Sequence, residues 1–402
     1  MAKAADRLIR VVLATTVLVA GFAQASVAAE KTLLVWTVGG LPEDAAAVIR
    51  ALPQVQSLTL VRANNTLLVR TQDATGTEVD EAPAGTAYPV ETMLLDPTTF
   101  PAFVPAELAP IFAGLAQDEA ILGRSSATLR RLSAGGSLEF ADGSRLVVRA
   151  VVEDAVVGGA ELAVIPSAWA SARVTKPRHI LLTYDGARSA LESTIRTLLP
   201  ARKLARFRAP GEAPILRFAD AVLPQVQIKL RFGEFSIRLS SGARVVRDEA
   251  WVEANLVTES LPILGEARCH RVLMNAVRGA LQELLDAGLA HLVDPAAFRG
   301  CDNPRRIRGK LALSRHAWGA AIDFDNGYAP LHADHMTDPR FLAIMSRWGL
   351  TSGHTWLVPD PGHFEYYREP EVGYREPEVR SPCLYQRQFV ERCHRHRGSD
   401  PA

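Results

Sequence analysis

The chain has 402 residues, 48% of them hydrophobic, which is enough for two or three packed units with real cores. Its 45 basic and 44 acidic residues give a formal charge of +1 without a long block of one sign. That balance argues against a nucleic-acid partner and against a polybasic membrane patch.

The first residues read as a secretory signal peptide, expected over 1–29. Lys3, Arg7 and Arg10 precede an apolar run from Val11 to Phe22, and Ala23-Gln24-Ala25 or Ser26-Val27-Ala28 offers a small-residue cleavage site. The run is short for a membrane span, an uncleaved anchor being the alternative, and no cysteine follows it as a lipoprotein would require. The expected location is therefore the cell envelope or the exterior. All four cysteines, Cys269, Cys301, Cys383 and Cys393, fall in the last third. In an exported chain an even number implies two disulfides, and three pairings are open; Cys269 with Cys301 and Cys383 with Cys393 is favoured. No CxxC pair is present, so a cysteine zinc site is not expected.

From Thr32 the pattern is strand, helix, strand, strand: Leu33 to Val38, Pro42 to Leu52, then Ser57 to Arg62 and Leu67 to Thr71 around an Asn64-Asn65 turn. Far downstream come a strand at His179 to Tyr184, a helix at Arg188 to Leu199 and a strand at Lys203 to Phe207. Together they predict one ferredoxin-like α+β domain over 30–209, split by a β-rich insertion at about 72–172. The insertion carries a hairpin signal at Ser137 to Val151 around Asp142-Gly143 and a helical stretch near Pro105 to Leu132. Its segments LLDPTTFPAF, LAQDEAILGRSSA and VVEDAVVGGAEL resemble the extracytoplasmic core domain of MacB/FtsX-type permeases, over roughly Thr32 to Arg208. The permease helices are absent, so transport does not follow. The module reads either as a contact for a protein partner at the envelope or as a spacer.

Residues 210–258 are transitional, with two strands predicted at Ile228 to Phe232 and Phe235 to Leu239 about Gly233. His270 to Leu285 is the clearest helix: Leu273, Val277, Leu281, Leu284 and Leu285 share a face and Gly288 marks the stop. His270 reads as a cap or surface residue. Past residue 370 the motif Tyr-Arg-Glu-Pro-Glu-Val, at Tyr367 and again at Tyr374, predicts an extended, solvated tail over 371–402.

The chemistry concentrates in LSRHAWGAAIDFD, from Leu313, and PDPGHFEY, from Pro359. His316, Asp323 and His363 offer nitrogen, oxygen and nitrogen to a divalent metal, and three protein ligands leave zinc one open position. Asp323 lies in an apolar run, Ala320 to Phe324, where an uncompensated carboxylate is costly. Each residue alone is commonplace; three ligand types with a spare carboxylate, Asp360, are not. Glu365 shares the strand face of His363 and competes with Asp360 for the role of general base.

The pattern SxHxxGxAxD followed by DxxHFE resembles the D-alanyl-D-alanine carboxypeptidase (VanY-type) family of zinc peptidases, which includes the L-alanyl-D-glutamate endolysins of phages. The likeness covers Ala267 to Tyr367 within an expected catalytic domain at 259–370. It implies a small antiparallel sheet with flanking helices, a bound Zn2+, and peptidoglycan stem peptides as substrate. It also implies roles: Asp360 as general base, Arg305 opposite the metal at the tetrahedral intermediate, and Ser314 as a substrate contact. Arg306 and Arg308 compete with Arg305, Asp325 is an orienting carboxylate at most, and His332, His335 and His354 stay outside the expected site. The function expected is an exported zinc-dependent peptidase of carboxypeptidase type. A peptidoglycan L,D-endopeptidase and a non-catalytic wall-binding or scaffold protein are the alternatives, because metal chemistry does not choose the bond.

Overall fold

Two apolar runs, Leu33 to Val35 and Ile180 to Leu182, pair at the centre of the first unit. The computed structural model describes residues 31–371 except 38, 214, 219–222, 240–243, 308–310, 325–337 and 357–358. The expected signal peptide, the repeated tail, Cys383, Cys393, Arg308, Asp325, His332 and His335 lie outside the described residues. No helix among the described residues is long and apolar enough to cross a membrane.

The chain opens with β1 (Thr32–Trp36), α1 (Ala45–Arg50) and β2 (Val55–Gln72). Then come β3 (Glu78–Glu81), β4 (Tyr88–Leu94), α2 (Ala109–Ala113), β5 (Glu119–Gly123), α3 (Arg124–Arg130), β6 (Ser137–Phe140), β7 (Arg145–Val152), β8 (Leu162–Val164) and α4 (Ala168–Arg173). The first unit ends with β9 (Pro177–Tyr184), α5 (Arg188–Leu198) and β10 (Arg206–Arg208). The order β10-β1-β9-β2, antiparallel at each step, is that of a ferredoxin-like sheet with α1 and α5 on one face. Alternation along β1 explains the two faces: Leu33 and Val35 pack under the helices, whereas Leu34 and Trp36 enter the core on the other side.

The sequence expectation fails at Asn64-Asn65, which is not a turn. β2 is one 18-residue strand that pairs β9 with its first half and β4 and β6 with its second. The asparagine amides bond distant groups, Asn64 to the Arg173 carbonyl and Asn65 to Gln225, so neither closes a local turn. Because β6 returns to β2, the path β2-β4-β8-β5-β7-β6 closes into a barrel filled by Leu68, Val90, Leu122, Leu138, Phe140 and Leu162. The Ser137 hairpin is present as β6 and β7. The single helical stretch expected at 105–132 is instead α2, β5 and α3. In β5, Ala120 and Leu122 face the barrel core and Ile121 the neighbouring one, so an apolar run buried on both faces had the spacing of a helix.

The second unit contains α6 (Gln225–Phe232), β11 (Ile237–Leu239), β12 (Val245–Arg247), α7 (Glu249–Asn255), β13 (Leu256–Leu261), β14 (Gly265–His270) and α8 (Arg271–Asp286). It is completed by β15 (Ala321–Asp323), α9 (Pro339–Arg347), β16 (Leu350–Gly353) and β17 (Asp360–Tyr366). β15, β17 and β16 form the small antiparallel sheet, in that order. α8 buries Leu273, Val277, Leu281 and Leu284 beneath it, but Leu285, placed on the same face from sequence, is 48% exposed. His270 caps α8: its Nδ1 accepts the Val272 N–H, and the ring is fully buried.

The strand expected at Ile228 to Phe232 is the helix α6. Ile228 and Phe232 enter the C-terminal core while Gln225 and Lys229, one turn apart, enter the N-terminal unit. Lys229 Nζ lies 2.8 Å from Glu161 and 2.6 Å from Glu234, and Arg130 bonds the same two carboxylates. The polar residues of this segment are buried partners, so alternation did not report a solvent face.

Candidate metal centre

His316 sits in a single 3-10 turn, Arg315–Trp318, that ends at Gly319 with φ +61°. Gly319 is needed there for two reasons: the left-handed backbone, and a close approach in which an added Cβ would meet the His270 nitrogen at 2.7 Å. The Gly319 carbonyl accepts the His270 N–H, and the Trp318 indole donates to Gly233. The turn is thereby fixed to the start of α8. The His316 Nδ1–H donates to the Cys301 carbonyl at 3.0 Å, leaving Nε2 as the outward lone pair. Cys301 is itself held by the disulfide to Cys269, the pair favoured from sequence, with Cα atoms 5.0 Å apart.

Asp323 and His363 are direct partners across β15 and β17. Their side chains meet on one face, His363 Nδ1 being 2.8 Å from Asp323 Oδ1. His316 Nε2 completes the triangle at 3.1 Å from Asp323 Oδ1 and 3.2 Å from His363 Nδ1. Both histidines are buried and Asp323 is partly open. Among the described residues this is the group of His, Cys, Asp or Glu that converges on one point. Burial alone would raise the Asp323 carboxyl, but its contacts with the His316 and His363 rings outweigh it and hold the group far below the usual carboxylate range. Burial lowers His363, yet its contacts with Asp323 and Glu365 prevail and raise it to about 9.

The donor set fits a divalent cation. Two imidazole nitrogens and a carboxylate oxygen converge, and the second nitrogen of each ring already faces protein: Cys301 for His316, and Glu365 Oε2, at 3.6 Å, for His363. Trp356 packs on the His363 ring, centroids 5.0 Å apart.

Asp360 opens strand β17 and is not on the proline turn expected from sequence. The β16–β17 register breaks between Ser352 and Gly353, so residues 361–363 bulge between the paired positions Asp360 and Phe364. Asp360 stays outside the converging triangle. Glu365 is buried between His363 and Arg315, and its Oε1 has no hydrogen-bond partner among the described residues. Arg305 and Ser314 face each other on a short two-stranded ladder beside His316: the Ser314 N–H donates to the Arg305 carbonyl and the Asn303 N–H to that of His316. β12 adds to this ladder through the Val245 N–H and the Pro304 carbonyl. Sequence reasoning missed Arg315, a largely buried cation next to a ligand; the signal was a cation directly beside a candidate ligand. It also missed Trp356 as the cover of His363. His354 stands apart from the triangle.

Residues 308–366 match a family model described as D-alanyl-D-alanine carboxypeptidase. The matched segment holds His316, Asp323, Asp360 and His363, and Arg305 lies just upstream. That family is one of peptidases, and the match falls on the segment that holds the converging triangle. No curated protein sequence matches the chain significantly. Among solved structures the chain is similar to the periplasmic region of MacB from Actinobacillus actinomycetemcomitans, at 13% identity over 45% of this chain and 89% of that one, TM-score 0.31. A second neighbour is the extracellular domain of the noncanonic ABC-type transporter YknZ from Gram-positive bacteria, at 9% identity over 44% and 99%, TM-score 0.27.

Proposed function

We propose that the protein is an exported zinc-dependent peptidase that hydrolyses an amide bond in peptidoglycan stem peptides, acting as a D-alanyl-D-alanine carboxypeptidase. The observation that carries this reading is the convergence of His316 Nε2, Asp323 Oδ1 and His363 Nδ1 within 3.2 Å of one another, inside a segment that matches the carboxypeptidase family. These three residues would hold Zn2+, which when bound polarises the scissile carbonyl and acidifies a water. Asp360 takes the proton from the attacking water and passes it to the leaving amine, so the hydroxyl ends on the carbonyl carbon and the proton on nitrogen. Arg305 supplies positive charge to the oxyanion that develops, and Ser314 contacts the peptide. Glu365, its Oε2 3.6 Å from His363 Nε2, keeps Nδ1 aimed at the centre.

The catalytic unit is residues 259–370 extended by α6, β11, β12 and α7, which share its core. The leader at 1–29 and the Cys269–Cys301 disulfide support an extracytoplasmic location. The N-terminal unit would meet an envelope partner. The test is mass spectrometry of defined muropeptides incubated with the mature protein, with chelator and with zinc restored. Metal-dependent loss of one terminal alanine is the expected result. An internal cut would replace the carboxypeptidase by an endopeptidase, and no cleavage by folded, zinc-loaded protein would leave the wall-binding reading.

A further inference from the structure

Arg315 is largely buried, its side chain 12% exposed, beside a candidate metal ligand, yet the mechanism above does not use it. Among the described residues its guanidinium has two attachments. Nη2 donates to the Leu223 carbonyl, and Nε lies 3.9 Å from Glu365 Oε2. Glu365 in turn places that same oxygen 3.6 Å from His363 Nε2, on the ring whose Nδ1 faces Asp323. A carboxylate so deeply buried is stable only with a positive or donating neighbour on each side, and Arg315 and His363 are those neighbours. The line His363, Glu365, Arg315 therefore fixes the ring plane of one ligand from behind.

The far end of that line rests on the N-terminal unit. Leu223, packed on the C-terminal core, is followed by Pro224, the residue that caps α6, which sits on the Gly158-Gly159 turn between β7 and β8 of the barrel. A Cβ on Gly159 would come within 2.5 Å of the Pro224 ring, and one on Gly158 within 2.9 Å of the Leu216 carbonyl. Arg217 reinforces the seam, reaching the Gly158 carbonyl at 3.3 Å and the buried Glu91 at 3.1 Å. Arg315 itself lies within the electrostatic reach of Arg217 and Glu91.

We propose that Arg315 is a positioning residue for the metal centre, and that through the Leu223 carbonyl the N-terminal barrel helps to hold His363 in its ligating orientation. The N-terminal unit is then a working part of the peptidase and more than a spacer or a docking module. The inference rests on the metal-centre reading given above.

The experiment uses the full mature chain. Zinc affinity is measured by competition with a chromophoric chelator, and the visible absorption of the cobalt-substituted protein reports ligand geometry. Arg315→Met is expected to weaken zinc binding about 10- to 100-fold and to change the cobalt bands, with Arg315→Lys recovering part of both. Gly159→Val, which forces Pro224 away, is expected to weaken zinc binding as well, and the double variant to be little weaker than Arg315→Met alone, since both act through one line. If Arg315→Met does not fold, Arg315→Gln is measured in the same way. A folded Arg315 variant with unchanged affinity and cobalt spectrum would overturn the positioning role. An effect of Gly159→Val that is nil, or that adds fully to the Arg315 effect, would overturn the link to the barrel. Failure of the unmodified protein to bind zinc would remove the metal-centre reading itself, a result distinct from the other two.

Discussion

At the scale of single residues the open assignment is the base, because two carboxylates flank His363. Glu365 is buried and committed to His363 and Arg315, so its geometry suits holding a ring more than moving a proton. Asp360 is partly exposed at the start of β17, where a peptide and water can reach it. Asp360→Asn keeps the shape and removes the basicity. We expect it to retain zinc at the unmodified affinity while turnover falls about 10²- to 10⁴-fold; His316→Ala, by contrast, loses zinc and activity together. Near-normal turnover in Asp360→Asn would pass the role of base to Glu365. The ligand candidates were legible in the sequence because their spacing fits one strand-turn unit and its partner strand. Arg315 was not legible, since burial of a cation depends on what packs over it, and that cover comes from Leu223, 92 residues earlier.

At the scale of elements, legibility of the helices followed whether polar residues faced water. α1, α5 and α8 were readable because one apolar face alternates with a solvated one, whereas β1 and β9, buried on both faces, were readable as short uninterrupted apolar runs. β5 and α6 were misread because each is buried on two sides, β5 among apolar neighbours and α6 among ions. The ions of α6 give a test of how the two units are joined. Lys229 is 1% exposed and Glu161 fully buried, with Arg130 and Glu234 completing the group. Removing one partner of a buried pair leaves an uncompensated charge, at a cost of about 3–5 kcal/mol. Lys229→Met should therefore lower the unfolding free energy by that amount, seen as a lower urea midpoint, and Lys229→Met combined with Glu161→Gln should lose less than the single variant. Urea titration followed by tryptophan fluorescence reads both, and a Lys229→Met midpoint equal to that of the unmodified protein would mean that the ions do not hold the seam.

At the scale of the whole molecule, the disulfide joins the location of the protein to the state of its site. Cys269 is the last residue but one of β14, next to His270, the cap of α8, and Cys301 lies 32 residues on, in the segment whose carbonyl orients His316. Closing a loop of that length removes unfolded-chain entropy worth about 3–4 kcal/mol in the chain-entropy model. Breaking it should act twice: the fold loses that stability, and His316 loses the fixed acceptor that keeps Nε2 turned toward Asp323. Cys269→Ser with Cys301→Ser is thus expected to melt at a lower temperature and, below its melting point, to bind zinc more weakly than the oxidised chain. A stability loss with zinc affinity intact would separate the two effects and show that the Cys301 carbonyl is held by its neighbours, the Asp323 ladder at Arg299 and Gly300 being the next support in line.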